Sequence, residues 1–109
     1  MSKYDVFISH KSQDKEALTK VEAFLDSQGF TYWSDSKMQS GFDWIKQIEK
    51  AINESRIMLV LLSQHVIDDP DNMESEIVSA IEKRMKFVVI KLDESNVADY
   101  EGVFSQRKS

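Results

Sequence analysis

The sequence predicts a doubly wound α/β domain, a parallel sheet with helices on both faces. Four short runs rich in β-branched and aromatic residues alternate with three stretches of helical period. That order is uninterrupted, and right-handed crossovers between successive strands resolve it into one parallel layer. The run Ile57-Met58-Leu59-Val60-Leu61-Leu62 has no polar alternation, as in strands covered on both sides.

The first run, Tyr4-Asp5-Val6-Phe7-Ile8, stops at the polar Ser9-His10-Lys11-Ser12 and reads as a strand and its loop. From Gln13 the period lengthens: Ala17, Leu18, Val21, Phe24 and Leu25 form an amphipathic stripe, with Ser12 placed to cap and Asp14 and Glu16 in the first turn. Gly29 ends this helix, and Phe30-Thr31-Tyr32-Trp33 follows as a second strand. Ser34 to Gly41 is an unpatterned polar loop. A second helix presents Trp44, Ile45, Ile48, Ala51 and Ile52, and the apolar run to Leu62 follows it. After Ser63-Gln64-His65 and the Asp68-Asp69-Pro70 loop, a third helix buries Met73, Ile77, Ala80 and Ile81, with Asp71 and Glu74 at capping-box spacing. Phe87 to Leu92 is the fourth strand, and beyond it Val97, Tyr100, Val103 and Phe104 are scattered apolar anchors.

Composition narrows the function. The chain has 109 residues, which suits one domain and not two. A net charge of −5 without a basic cluster argues against direct nucleic-acid binding, and no apolar run is long enough to span a membrane. Cytoplasmic residence is the expectation. With no cysteine there is no disulfide framework, zinc-thiolate site or thiol nucleophile. Three glycines leave no GxGxxG or Walker loop, and the third strand ends in Ser63, not in the aspartate of a receiver domain. His10 and His65 have no partner at metal-ligand spacing.

Ligands in such sheets sit outside the carboxyl ends of the strands, here Ser9-His10, Ser34-Asp35, Ser63-Gln64 and Asp93-Glu94. Glu76 lies early in the third helix, whose start points toward that edge, at the border of the buried stripe. A glutamate there ordinarily belongs to a solvated helix face. Turned into a cleft, it binds sugar hydroxyls or stabilises an oxocarbenium-like charge. Trp44 reads as a core residue, whereas Trp33 suits inward packing and a ligand face equally.

Tyr4-Asp5-Val6-Phe7-Ile8-Ser9-His10 resembles the first box of TIR (Toll/interleukin-1 receptor) domains, particularly the bacterial ones. Gly29 to Asp35 resembles their second strand, Ser40-Gly41-Phe42-Asp43-Trp44 the end of their BB loop, and Ala51 to Ser63 their A-I-x-x-S segment. Asn72-Met73-Glu74-Ser75-Glu76-Ile77 falls on their W-C-x-x-E-[LI] motif, with Asn72 and Met73 in place of tryptophan and cysteine. The likeness spans about residues 4–93.

The resemblance implies a flavodoxin-like sheet of four to five strands, with residues 1–93 as the TIR domain and 94–109 as a tail or incomplete last element. It implies hydrolysis of NAD+ at the nicotinamide-ribose bond, with Glu76 as the catalytic residue, NAD+ as substrate and no separate cofactor or metal. Phe7, Ser9, His10, Trp33, Asp35 and Lys37 would bind substrate, and Met38, Ser40 and Gly41 would form an assembly loop docking on other TIR domains. A fused or partner sensor module and a place in anti-phage defence follow from the same likeness. The competing readings are a non-catalytic TIR interaction module and, on a related scaffold, a binder of nucleotide derivatives.

Overall fold

The computed structural model describes residues 3–34, 43–68 and 71–93, apart from the side chains of Trp44, Asp71, Asn72 and Glu74. In chain order come β1 (Tyr4–Ser9), a 3-10 turn (Ser12–Asp14), α1 (Lys15–Ser27), β2 (Tyr32–Trp33), α2 (Trp44–Asn53), β3 (Ser55–Leu62), α3 (Gln64–Asp68), α4 (Asp71–Glu82) and β4 (Lys86–Lys91). The strands are parallel and lie in the order β2-β1-β3-β4. The chain thus winds one way from β1 and the other way from β3. The crevice between these two strands is the switch point at which doubly wound sheets take ligands.

Alternation along the central strands builds two cores. Val6 and Ile8 of β1 join Leu59 and Leu61 of β3 against Leu18 and Leu25 of α1. Phe7 takes the opposite face with Met58, Val60 and Leu62, against Ala51 and Ile52 of α2, Val66 of α3, and Met73, Ile77 and Ala80 of α4. The second face therefore carries α2 and α4 side by side, which sets the walls of the cleft described below.

Several local expectations are corrected. Gln64–Asp68 is a short helix, so the helix expected third is α4; five residues are too few to show a helical period. Ser12 does not cap α1: its hydroxyl bonds the Gln13 side chain at 3.3 Å, and the N-cap is Asp14, which makes no side-chain cap bond. Asp14 is occupied elsewhere, accepting from the buried Ser63 hydroxyl. Phe24 and Ile45, expected on buried stripes, are 60% and 53% exposed: Leu25, the next residue of α1, takes the buried place, and Ile45 borders the cleft described below. β2 is shorter than expected, although Thr31 still ties into β1, its carbonyl accepting from the Asp5 and Val6 amides. The capping box of Asp71 and Glu74 and the burial of Trp44 rest on side chains outside the described residues.

Two helices end in the same way with different residues. After α1, the Gly29 amide donates to Asp26 O (3.1 Å) and the Phe30 amide to Leu25 O (3.0 Å), with Gly29 at φ 79°. This is the Schellman closure that glycine favours. After α4, the Arg84 amide donates to Ile81 O and the Met85 amide to Ala80 O, both at 3.0 Å, with Arg84 at φ 57°. A residue with a Cβ in that region costs roughly 1–2 kcal/mol.

Tyr32 yields a prediction on pH. Partial burial pushes its phenol above the usual value, and the hydroxyl also donates to Asp26 Oδ2 at 3.2 Å, with the charges of Asp26 and Glu22 adding to the shift. The fold thus favours the neutral phenol. Its contribution is complete below the unfolded value of about 10 and is lost as pH rises through the higher folded value. Urea midpoints of the chain and Tyr32→Phe should differ at pH 8, and the difference should shrink as pH rises past the ordinary phenol value of about 10. A constant difference across that interval would rule out the coupling.

Candidate functional site

At the carboxyl edge, a serine ends or follows each of the first three strands, and each is buried: Ser9 1%, Ser34 0% and Ser63 2% exposed. Buried hydroxyls need partners. All three donate to carboxylates from neighbouring helical segments: Ser9 to Glu76 Oε1 at 2.6 Å, Ser34 to Glu22 Oε2 at 2.7 Å, and Ser63 to Asp14 Oδ2. After β4, Asp93 Oδ2 accepts from the Gln64 amide at 2.9 Å, at the start of α3. The sheet thus presents a row of carboxylates pinned from below.

Glu76 is distinguished within that row. It is half-buried and sits on α4, while its donor Ser9 ends β1 at the switch point, 67 residues away in sequence. The distance is that of a charge-assisted O–H···O⁻ bond, which fixes the carboxylate's direction. Glu76 also lines a cleft of about 260 Å³ between α2 and α4. Ile45, Ile48 and Ile52 supply an apolar wall, Glu49 stands among them on α2, and Ser75 and Ser79 flank Glu76 on α4. Pockets enclosing drug-sized ligands run to about 300–1,000 Å³, so this one suits a ring or a ribose more than a whole dinucleotide.

The remaining expected residues divide. His10 follows Ser9 directly and is half-buried. Phe7 is fully buried and Trp33 is 6% exposed; they are register partners on β1 and β2, and their rings stack with centroids 5.2 Å apart and 14° between planes. They pack as core beneath the strand ends and are not among the cleft-lining residues. Asp35, Lys37, Met38, Ser40 and Gly41 lie outside the described residues. The sequence reading missed Asp14 and Glu22 as partners of the buried serines. It also missed Glu49, an exposed helix residue that carries no signal of its own. Among the described residues no three His, Asp or Glu side chains group so as to hold a metal ion, and no helix is long and apolar enough to cross a membrane.

Comparison with known proteins identifies the family and the fold. A family model described as TIR domain matches residues 6–108. A 63-residue stretch is 35% identical to a probable 2′ cyclic ADP-D-ribose synthase, TcpO, of Methanobrevibacter olleyae, covering 56% of this chain and 18% of that protein. Among solved structures, the TIR domain of the Toll-related receptor TRR-2 of Hydra magnipapillata superposes with a TM-score of 0.75 at 17% identity, covering 96% of this chain and 94% of that one. The TIR domains of the activated Roq1 resistosome give 0.76 at 22% identity over 96% and 70% of the two chains. A metazoan TIR-STING receptor from C. gigas gives 0.75 at 19% identity, over 90% of this chain and 34% of that receptor. The fold is shared with all three. The chain belongs to the TIR domain family.

Proposed function

We propose that the chain cleaves the bond between nicotinamide and ribose in NAD+, with Glu76 as the catalytic residue. The observation that carries this reading is the Glu76 carboxylate, aimed by the Ser9 hydroxyl at 2.6 Å and set at the wall of an apolar cleft. The name of the methanogen relative, a cyclic ADP-ribose synthase, agrees with it.

Nicotinamide leaves readily because its ring is cationic in NAD+ and departs as a neutral base, taking the electron pair of the breaking C–N bond. The ribose is left as an oxocarbenium ion. A fixed carboxylate stabilises that charge at little reorganisation cost and holds the ribose hydroxyls. Attack by water then gives ADP-ribose and a proton; attack by a hydroxyl of the same molecule gives a cyclic isomer and a proton. We assign His10, which follows Ser9 in the chain, to the substrate's ribose side and Lys37 to a phosphate.

The small cleft accommodates part of the substrate, so we assign its completion to a second TIR domain docking through Met38, Ser40 and Gly41. A sensor module that clusters the chains would then switch on NAD+ loss, as suits defence signalling. The test is chromatographic: NAD+ consumption by the chain, dilute and then concentrated or crowded, beside Glu76→Gln. Turnover that rises with clustering and falls by about 10²–10³-fold in the variant is expected. No turnover under any clustering condition would give the chain to the non-catalytic interaction class. That class also accommodates Met73, 1% exposed in the core, at the motif's cysteine position.

A further inference from the structure

We propose that the opposite, amino edge of the sheet carries an anion site for a phosphate-bearing small molecule, separate from the Glu76 cleft and independent of the activity assigned to it. A cleft of about 430 Å³ opens where β3 and β4 begin and α4 ends, and four of its lining residues are cations: Arg56, Lys83, Arg84 and Lys86. The chain has 14 Lys and Arg in all and a net charge of −5, so this concentration runs against its overall balance and corrects the expectation that no basic cluster forms. No carboxylate lines the cleft among the described residues. A concave surface lined by one sign of charge focuses its field and draws in counter-ions.

The cations are weakly neutralised from below. Arg56 Nη1 stands 3.8 Å from Asp5 Oδ1, with the arginine side chain 68% exposed. Asp5 is itself committed to Thr31, accepting at Oδ2 from the amide at 3.0 Å and the hydroxyl at 3.2 Å. Lys83 Nζ donates to the neutral Ser79 hydroxyl at 2.8 Å. Strand register sets Lys86 beside Ile57, next to Arg56, so cations from both strands border the same opening.

Backbone strain is the second, independent observation. Arg84 occupies the left-handed position of the α4 Schellman closure at φ 57°, where α1 uses Gly29. Stability alone favours glycine there too. Strained positions of this kind are retained where the side chain has a task. Here the strain holds a guanidinium at the rim of a cationic cleft, and a guanidinium matches phosphate oxygens with two parallel donors.

Pyrophosphate is the minimal probe. Titration calorimetry at low ionic strength should show it binding the chain, with affinity falling as salt is added. Arg84→Gly and Lys86→Gln should each weaken binding by roughly fivefold to tenfold. ADP titrated in the Glu76→Gln background distinguishes a nucleotide from free polyphosphate: tighter binding than pyrophosphate, still lost in Arg84→Gly, adds the nucleoside to the ligand, and equal binding restricts recognition to the phosphates. The thermal midpoint of Arg84→Gly should hold or rise, since the substitution relieves strain. Failure of pyrophosphate to bind the parent chain would overturn the proposal. So would undiminished binding in both variants, or a loss in Arg84→Gly that only tracks a fallen midpoint.

Discussion

Glu76→Gln should lower NAD+ consumption by about 10²–10³-fold while leaving the fold intact, the scale seen when one group that stabilises transition-state charge is removed. The amide is the right replacement because the side-chain oxygen can still accept from Ser9, which is 1% exposed and donates to Oε1 at 2.6 Å. Glu76→Ala would instead strand that buried hydroxyl and cost about 1–3 kcal/mol, mixing stability with activity. Ser9→Ala tests the same bond from its other end. It takes nothing from the cleft's lining, so its effect passes through the carboxylate. The expectation is a roughly tenfold loss in kcat with little change in KM, since a misdirected carboxylate weakens the transition state more than substrate binding. The two losses should not add. In the Glu76→Gln background, Ser9→Ala should change turnover by less than about twofold, because coupled residues fail additivity. Equal activity in the parent and Glu76→Gln would remove the carboxylate from the chemistry. Additive losses would make Ser9 an independent contributor, such as a direct substrate contact.

That pairing shows where sequence reading stops. The position of Glu76 at the border of a buried stripe, and the strand ends at Ser9, Ser34 and Ser63, were legible from period and run length. The serine-carboxylate pairs were not, because each depends on which helix the topology lays over which strand, and Ser9 and Glu76 are separated by 67 residues. α3 was too short for a period to register. Helical spacing marked the faces of Phe24 and Ile45 but not where their coverage ends; Ile45 is open because it borders the cleft. Arg84 carries no signal at all, since a left-handed helix end is read from glycine or asparagine. The core was more readable than the site for one physical reason: burial follows local pattern, whereas a site is made by distant residues meeting.

Phe7→Ala should be the most destabilising single change in the described core, costing about 3–5 kcal/mol against a total of about 5–15 kcal/mol for a domain. Phe7 is fully buried and stacks on Trp33, its register partner on β2, so the truncation opens a cavity and also removes an aromatic pair. β2 is two residues long and pairs only with β1, at the end of the sheet order. With so little ladder to hold it, that strand depends on side-chain packing for its place. The thermal midpoint should therefore fall by more than about 12 °C, taking at least 4 °C per kcal/mol for a chain of this size. Emission from the tryptophans should shift to the red as Trp33 gains contact with water. Phe7→Leu, which keeps an apolar group of substantial volume, should recover at least half of the lost midpoint. The consequence reaches the site because Phe7 lies two residues before Ser9 on the same face of β1. In Phe7→Leu the chain remains folded, and any loss of turnover should resemble that of Ser9→Ala, in kcat more than in KM. A midpoint for Phe7→Ala within a few degrees of the parent would show that β2 is held by something other than this aromatic pair.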